Sequence, residues 1–129
     1  VKVDEIYPIT KDLANKHGGV VLLGDYLYGD SDDKGMPYCA ELLTGEIKWN
    51  KKRGAGGGSA AIIAADGCLY IRWANGTMGL AKASPEGFEE LGSFKVPGHD
   101  RQGWAHPVVV GGKLYIREQD HILCYDVSK

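Results

Sequence analysis

The acidic run DSDDKGMPYCAE, residues 30–41, places Asp30, Asp32 and Asp33 close together, with Gly35 and Glu41 beyond them. That is nearly the donor spacing of a helix–loop–helix calcium site, where alternate loop positions supply oxygen ligands and a glycine makes the sharp turn. Two features break the pattern. Lys34 stands at the fifth loop position, where a ligand is required, and Glu41 lies far along an apolar stretch rather than back at the loop. The flanks YLYG and PYCAEL read as strands, so the helices of such a site are absent. The run is therefore expected to be a solvated hairpin connection, with a weak calcium site from Asp30, Asp32 and Asp33 as the alternative.

A second set of reactive side chains sits in three glycine-bearing connections, KDLANKHGG, NKKRGAGGGS and PGHDRQGWAHP. If these converge on one face, His17, Lys51, Lys52, Arg53, His99, Arg101, Trp104 and His106 form a cationic, partly aromatic mouth. Such a mouth suits an acidic or polyhydroxylated ligand. The plainer reading is that the connections are simply polar and that Trp104 and His106 pack or cap. The histidines have no ligand-like spacing with one another, with cysteine or with carboxylate, so no metal is expected there. Cys39, Cys68 and Cys124 lack CxxC spacing and cannot all pair within one chain, and they are expected to be buried thiols. Asn75-Gly76-Thr77 matches a glycosylation sequon, but Asn-Gly is also a two-residue hairpin turn, and the turn is the preferred reading.

The elements that must position these groups follow from the 19 glycines and from the apolar runs VVLL, AAIIAA, CLYI, PVVV and KLYI. Each run is short and bounded by Gly, Asp or Asn, which is a strand-and-turn pattern. Only KDLANK, residues 11–16, has helical character, and it is too short to stand alone. The chain is therefore expected to be all-β.

Self-similarity organises the strands. GDYLYGD, DGCLYIR and GGKLYIR each set a turn before a Leu-Tyr pair, with Leu27, Leu69 and Leu114 spaced by 42 and 45 residues. A period of about 40–45 residues with four strands per unit is the pattern of a propeller blade. The first unit reads as strands at 19–23, 26–29, 37–42 and 46–50, and the second at 59–64, 68–73, 77–83 and 88–96. The third offers 106–110, 113–117 and 121–126. One further strand, VDEIY at 3–7, precedes them all. The expected organisation is a single propeller segment over 1–129. Residues 1–16 form a preceding outer strand and connection, 17–53 a blade, 54–98 a blade, and 99–129 a blade without its outer strand. Alternation places Leu27, Leu69 and Leu114 on one blade face and Tyr28, Tyr70 and Tyr115 on the other.

YCAELLTGEIKW carries a more specific signal, because Thr44, Gly45 and Trp49 match a Thr-Gly-x-x-x-Trp half-motif and LCYDVSK matches its first half. On these residues the chain resembles the pyrroloquinoline-quinone-like (quinoprotein-type) β-propeller repeat proteins, in their C-terminal blades. The middle unit keeps Gly87 but has Leu91 where the motif has tryptophan. The resemblance implies four-stranded antiparallel blades, about three in this chain and so an incomplete propeller, with Thr44, Gly45 and Trp49 in structural roles. It also implies a bacterial, exported protein, periplasmic or extracellular, although VKVDEIYPIT carries no targeting signal. Quinoprotein dehydrogenases of this kind use an adjacent cysteine pair, and no Cys-Cys dipeptide occurs here.

The length is that of one ordinary domain. The formal net charge of −2 shows no basic excess, so nucleic acid is not an expected partner. No apolar run approaches the roughly 20 residues of a membrane span. No nucleophile, base and orienting group can be placed together from motifs. The preferred function is thus a non-catalytic binding or assembly scaffold without a cofactor. Its partners would be other copies of itself, the remaining blades of a larger propeller, or another protein. The alternative is a fragment of an oxidoreductase propeller that uses pyrroloquinoline quinone and calcium. The expected assembly edge joins Val3–Tyr7 of one copy to Ile122 and Cys124 of the next, by strand addition.

Overall fold

The computed structural model describes residues 1–128. Eleven strands form three antiparallel sheets, and in each sheet strands adjacent in sequence are neighbours in space. The first sheet is β1 (Val21–Leu23), β2 (Tyr26–Asp30), β3 (Pro37–Glu41) and β4 (Ile47–Trp49). The second is β5 (Ala60–Ala65), β6 (Cys68–Trp73), β7 (Thr77–Lys82) and β8 (Glu90–Lys95), and the third is β9 (Val108–Val110), β10 (Lys113–Glu118) and β11 (His121–Asp126). The architecture is all-β, with two four-stranded propeller blades and one three-stranded blade. The turns are those the sequence demands. Asp66 and Gly67, for example, both have positive φ, 50° and 73°, as the tightest hairpin connection requires.

The ladders repeat residue for residue. Tyr28 pairs with Cys39 and Cys39 with Trp49, while Tyr70 pairs with Leu80 and Leu80 with Gly92. Both blades carry a bulge at the same place, between Cys39 and Ala40 and between Leu80 and Ala81. The counterpart of Trp49 is therefore Gly92, not Leu91. The β7–β8 connection is longer than the β3–β4 one, and it moves the register by one position relative to the spacing of the motif.

Two cores lie between the blades. Tyr28, Cys39 and the half-buried Trp49 of the first blade meet Ala60, Ile62, Leu69, Ile71, Trp73 and Phe88 of the second. Met78, Val96 and Tyr70 of the second meet Leu114, Ile116, Leu123 and Tyr125 of the third. The alternation of leucine and tyrosine faces thus holds, with each face turned to a different neighbour. Trp73 is fully buried and donates from its indole nitrogen to the Gly35 carbonyl at 3.0 Å. The glycine run after β4 wraps this ring. A Cβ on Gly56 would lie 2.1 Å from the ring, so only glycine permits the approach.

Two expectations are corrected. Residues 3–7 make no strand; instead Tyr7 lies against Gly45 in the β3–β4 turn. VDEIY has the alternation of a strand, but the segment pairs with no other strand, and pairing is what stabilises one. KDLANK makes, as expected, no more than a short helical turn, the 3₁₀ turn Lys11–Leu13 capped by Thr10. The three cysteines are free but differ: Cys39 is buried, Cys68 half-buried and Cys124 exposed.

Candidate functional site

The β2–β3 and β6–β7 hairpins and the connections between blades come together at one end of the blades, and there the loop side chains divide into two groups. In the first, the His17 and Trp104 rings lie 5.0 Å apart, tilted by 35°. His17 Nδ1 is 3.0 Å from Ser59 Oγ, and His106 Nε2 is 3.1 Å from the His17 carbonyl. These contacts tie the first connection to the last. In the second group, His99 packs over Gly76 and its Nδ1 lies 3.2 Å from Glu118 Oε1. Arg101 is exposed and pairs with Asp100 at 3.2 Å. Arg53 is exposed, and Lys52 donates to the Phe88 carbonyl at 3.1 Å. Lys51 and Lys52 line a groove with Asp12 and Trp49 beside the outer strand β4. His17, Trp104 and His106 are brought together; His99 and Arg101 form a separate group, and the lysines lie at the periphery.

Sequence reasoning missed the residues that anchor the second group. Arg72 is the last but one residue of β6 and Glu118 ends β10, both almost fully buried, and they form an ion pair between blades. Arg72 also donates to the Trp73 carbonyl at 2.6 Å. Burial lowers the Arg72 pKa, opposed by the charge of Glu118 and its hydrogen bond. The alternation Leu114, Ile116, Glu118 already places Glu118 on the buried face of its strand, which is the signal that could have found it.

Asp30 occupies in the first blade the place that Arg72 holds in the second, counted from the aligned Leu-Tyr pairs. It is 2% exposed and accepts from the Ala60 amide at 2.8 Å, while its Oδ1 has no partner. Burial pushes its pKa up to about 7, with Asp32 and Asp33 adding repulsion. Asp32 and Asp33 are exposed, and Asp33 pairs with Lys16. The three aspartates do not assemble, and among the described residues no three His, Cys, Asp or Glu side chains come together to hold a metal ion. The acidic run is a hairpin connection, as its flanks imply.

Trp49 donates to the Ser84 carbonyl at 2.8 Å and packs on Phe88 and Tyr28, at 5.6 Å and 6.1 Å between ring centroids. It is an inter-blade residue. Thr44 stays exposed and bonds Glu41 at 2.6 Å, closing the turn that carries Gly45.

The outer faces of the first and third blades contrast. On the first, Tyr38 and Ala40 are buried, with the ring of Tyr7 close by, and Leu22 at the inner strand is the exposed apolar residue of that face. On the third, Val108, Val110, Tyr115 and Ile122 are exposed, Ile122 at 75% and Val110 at 60%, and they share that face with Cys124, with Arg117 opposite Ile122 and with the Lys113–Asp126 ion pair. β11 is also a sheet edge among the described residues. Among those residues no helix is long and apolar enough to cross a membrane.

No protein-family model matches the chain. No curated protein matches it either. Among solved structures it is similar to BamB from Moraxella catarrhalis, with a TM-score of 0.58 and 17% identity over 81% of this chain. The chain spans 29% of the length of that protein. At this identity the likeness concerns the fold, and it agrees with blades of a β-propeller.

Proposed function

We propose that the chain is a non-catalytic β-propeller module of pyrroloquinoline-quinone-like repeats, and that it works as a binding or assembly scaffold by docking another blade on the outer face of its third blade. The observation that carries this reading is the exposed outer face of the third blade, where Val108, Val110, Tyr115 and Ile122 stand beside Lys113, Arg117 and Asp126. Blades pack face to face, and the two internal faces of this chain are covered in that way. Exposed apolar side chains set among charged ones in this way mark an interaction surface. The Thr44-Gly45 turn and the inter-blade Trp49 support the repeat type. Export, which the resemblance implies, belongs to the same proposal.

The docked blade comes from a second copy or from further blades of a longer propeller. Between copies the contact is head-to-tail and gives a ring or a filament. Because residues 3–7 form no strand, docking begins at the face, and a partner strand beside β11 completes the sheet afterwards. Light scattering of the wild-type chain and of Val110→Glu and Ile122→Lys tests this. The wild type is expected to associate, and both variants to be folded monomers. A folded wild type that stays monomeric, and also fails to bind added blades of its own propeller, rejects the proposal. Turnover of an alcohol with pyrroloquinoline quinone, calcium and an artificial acceptor would overturn the non-catalytic part.

A further inference from the structure

The equivalence of Trp49 and Gly92 leaves a gap. Where the first blade inserts an indole against its neighbour, the second presents a glycine, and a Cβ built on Gly92 meets nothing within 4 Å. A cavity of about 420 Å³ lies there, between the second and third blades. Its walls include Cys68, Tyr70, Met78, Leu80, Phe94 and Leu114. Met78 and Leu114 are buried and form the floor, whereas Gly92 and Asp66 are exposed, so the cavity opens to solvent beside the outer strand.

The lining is chemically specific. Tyr70 is the counterpart of Tyr28, which meets the Trp49 ring at 6.1 Å and 49°. Cys68 and Met78 bring sulfur, which contacts aromatic rings favourably. The acceptor for the ring nitrogen also has a counterpart. Ala83 donates to the Gly67 carbonyl at 3.0 Å and Val127 to the Gly112 carbonyl at 2.9 Å, so the backbone leading to Ser84, whose carbonyl accepts from Trp49, is repeated at Val127 on the cavity wall. The volume is within the range of small-molecule pockets, roughly 300–1,000 Å³.

We propose that this cavity is a binding site for a planar aromatic group of the indole class, seated against Tyr70 with its N–H toward the backbone at the Val127 end of the cavity. The site lies inside the chain and is independent of docking at the third-blade face.

Calorimetric titration with free indole and with N-acetyltryptophanamide tests it, on the wild type, Gly92→Trp, Gly92→Leu and Ile122→Lys. Gly92 has an ordinary strand backbone, without positive φ, so a side chain is tolerated there. Indole is expected to bind the wild type and Ile122→Lys equally. Binding should fall by about tenfold in Gly92→Leu and vanish in Gly92→Trp, with unchanged circular dichroism. Binding of the amide as well would support the site and assign it to a side chain presented by a peptide; binding of indole alone would support a free small molecule. If Gly92→Trp does not fold, Gly92→Leu decides. No binding of either probe to the wild type, or undiminished binding in a folded Gly92 variant, overturns the proposal.

Discussion

The two interfaces between blades use the same ladder positions with opposite chemistry. Between the first and second blades the space is filled by volume: Trp49, Trp73, Phe88 and Tyr28 pack together, and the buried Asp30 makes a single hydrogen bond to backbone. Between the second and third the corresponding place holds Arg72, which reaches Glu118 and through it His99, while the tryptophan position is a glycine beside a cavity. An apolar interface loses stability in proportion to the volume removed. An ionic one fails more abruptly, since removing one partner leaves an uncompensated buried charge. One fold thus tolerates two ways of fixing adjacent blades, and they should respond differently to substitution.

The largest effect should come from the charge side. Arg72→Met is expected to cost about 3–5 kcal/mol in urea unfolding, and the double variant Arg72→Met with Glu118→Leu to recover much of it. A cost below about 1 kcal/mol would erase the contrast. Next, Trp49→Ala should cost about 2–4 kcal/mol, at the lower side of buried tryptophan losses because the ring is only half-buried.

An effect comparable to that of Trp49, but spread over pH, concerns Asp30. Its folded pKa of about 7 lies above the unfolded value of about 3.9, so the folded chain holds a proton that the unfolded chain releases. This contribution to stability is complete below the unfolded value and is lost as pH rises through about 7. Relative to Asp30→Asn, the wild type should lose up to about 1.4 kcal/mol per pH unit between those values. Parallel unfolding curves of the two proteins at pH 4.5 and 7.5 check the sign. The smallest effect is expected at Trp104, whose exposed ring touches His17: Trp104→Ala should change stability by about 1 kcal/mol or less. A larger loss would show that the loop face, rather than the blade interfaces, fixes the arrangement.

Much of the fold was legible because glycine turns punctuate the chain. The three Leu-Tyr pairs fix blade phase, and all eleven strands from β1 to β11 fall within a few residues of their expected positions. What was illegible had physical causes. VDEIY satisfies local propensity, and only tertiary pairing could decide whether it becomes a strand. The tryptophan slot of the second blade moved by one residue because its longer β7–β8 connection is invisible to motif spacing. Arg72 and Glu118 are separated by 46 residues, and their pairing depends on how two blades stack. The loop residues His17, Trp104 and His106 were found by type, but their division from His99 and Arg101 required the geometry.

The nearest-neighbour strand order bears on how the chain acquires and loses its structure. Within blades, strands are joined by connections of two to seven residues, so each sheet can form through short closures of low contact order. The contacts between blades span longer stretches, 30 residues from Asp30 to Ala60 and 46 from Arg72 to Glu118. Such a chain behaves as a linear array of cooperative units, each protected by its neighbours. Amide hydrogen exchange should accordingly be slowest in β5–β7, which are flanked on both sides. It should be fastest in β9–β11, where opening breaks only one interface, and docking of a further blade should slow exchange there first.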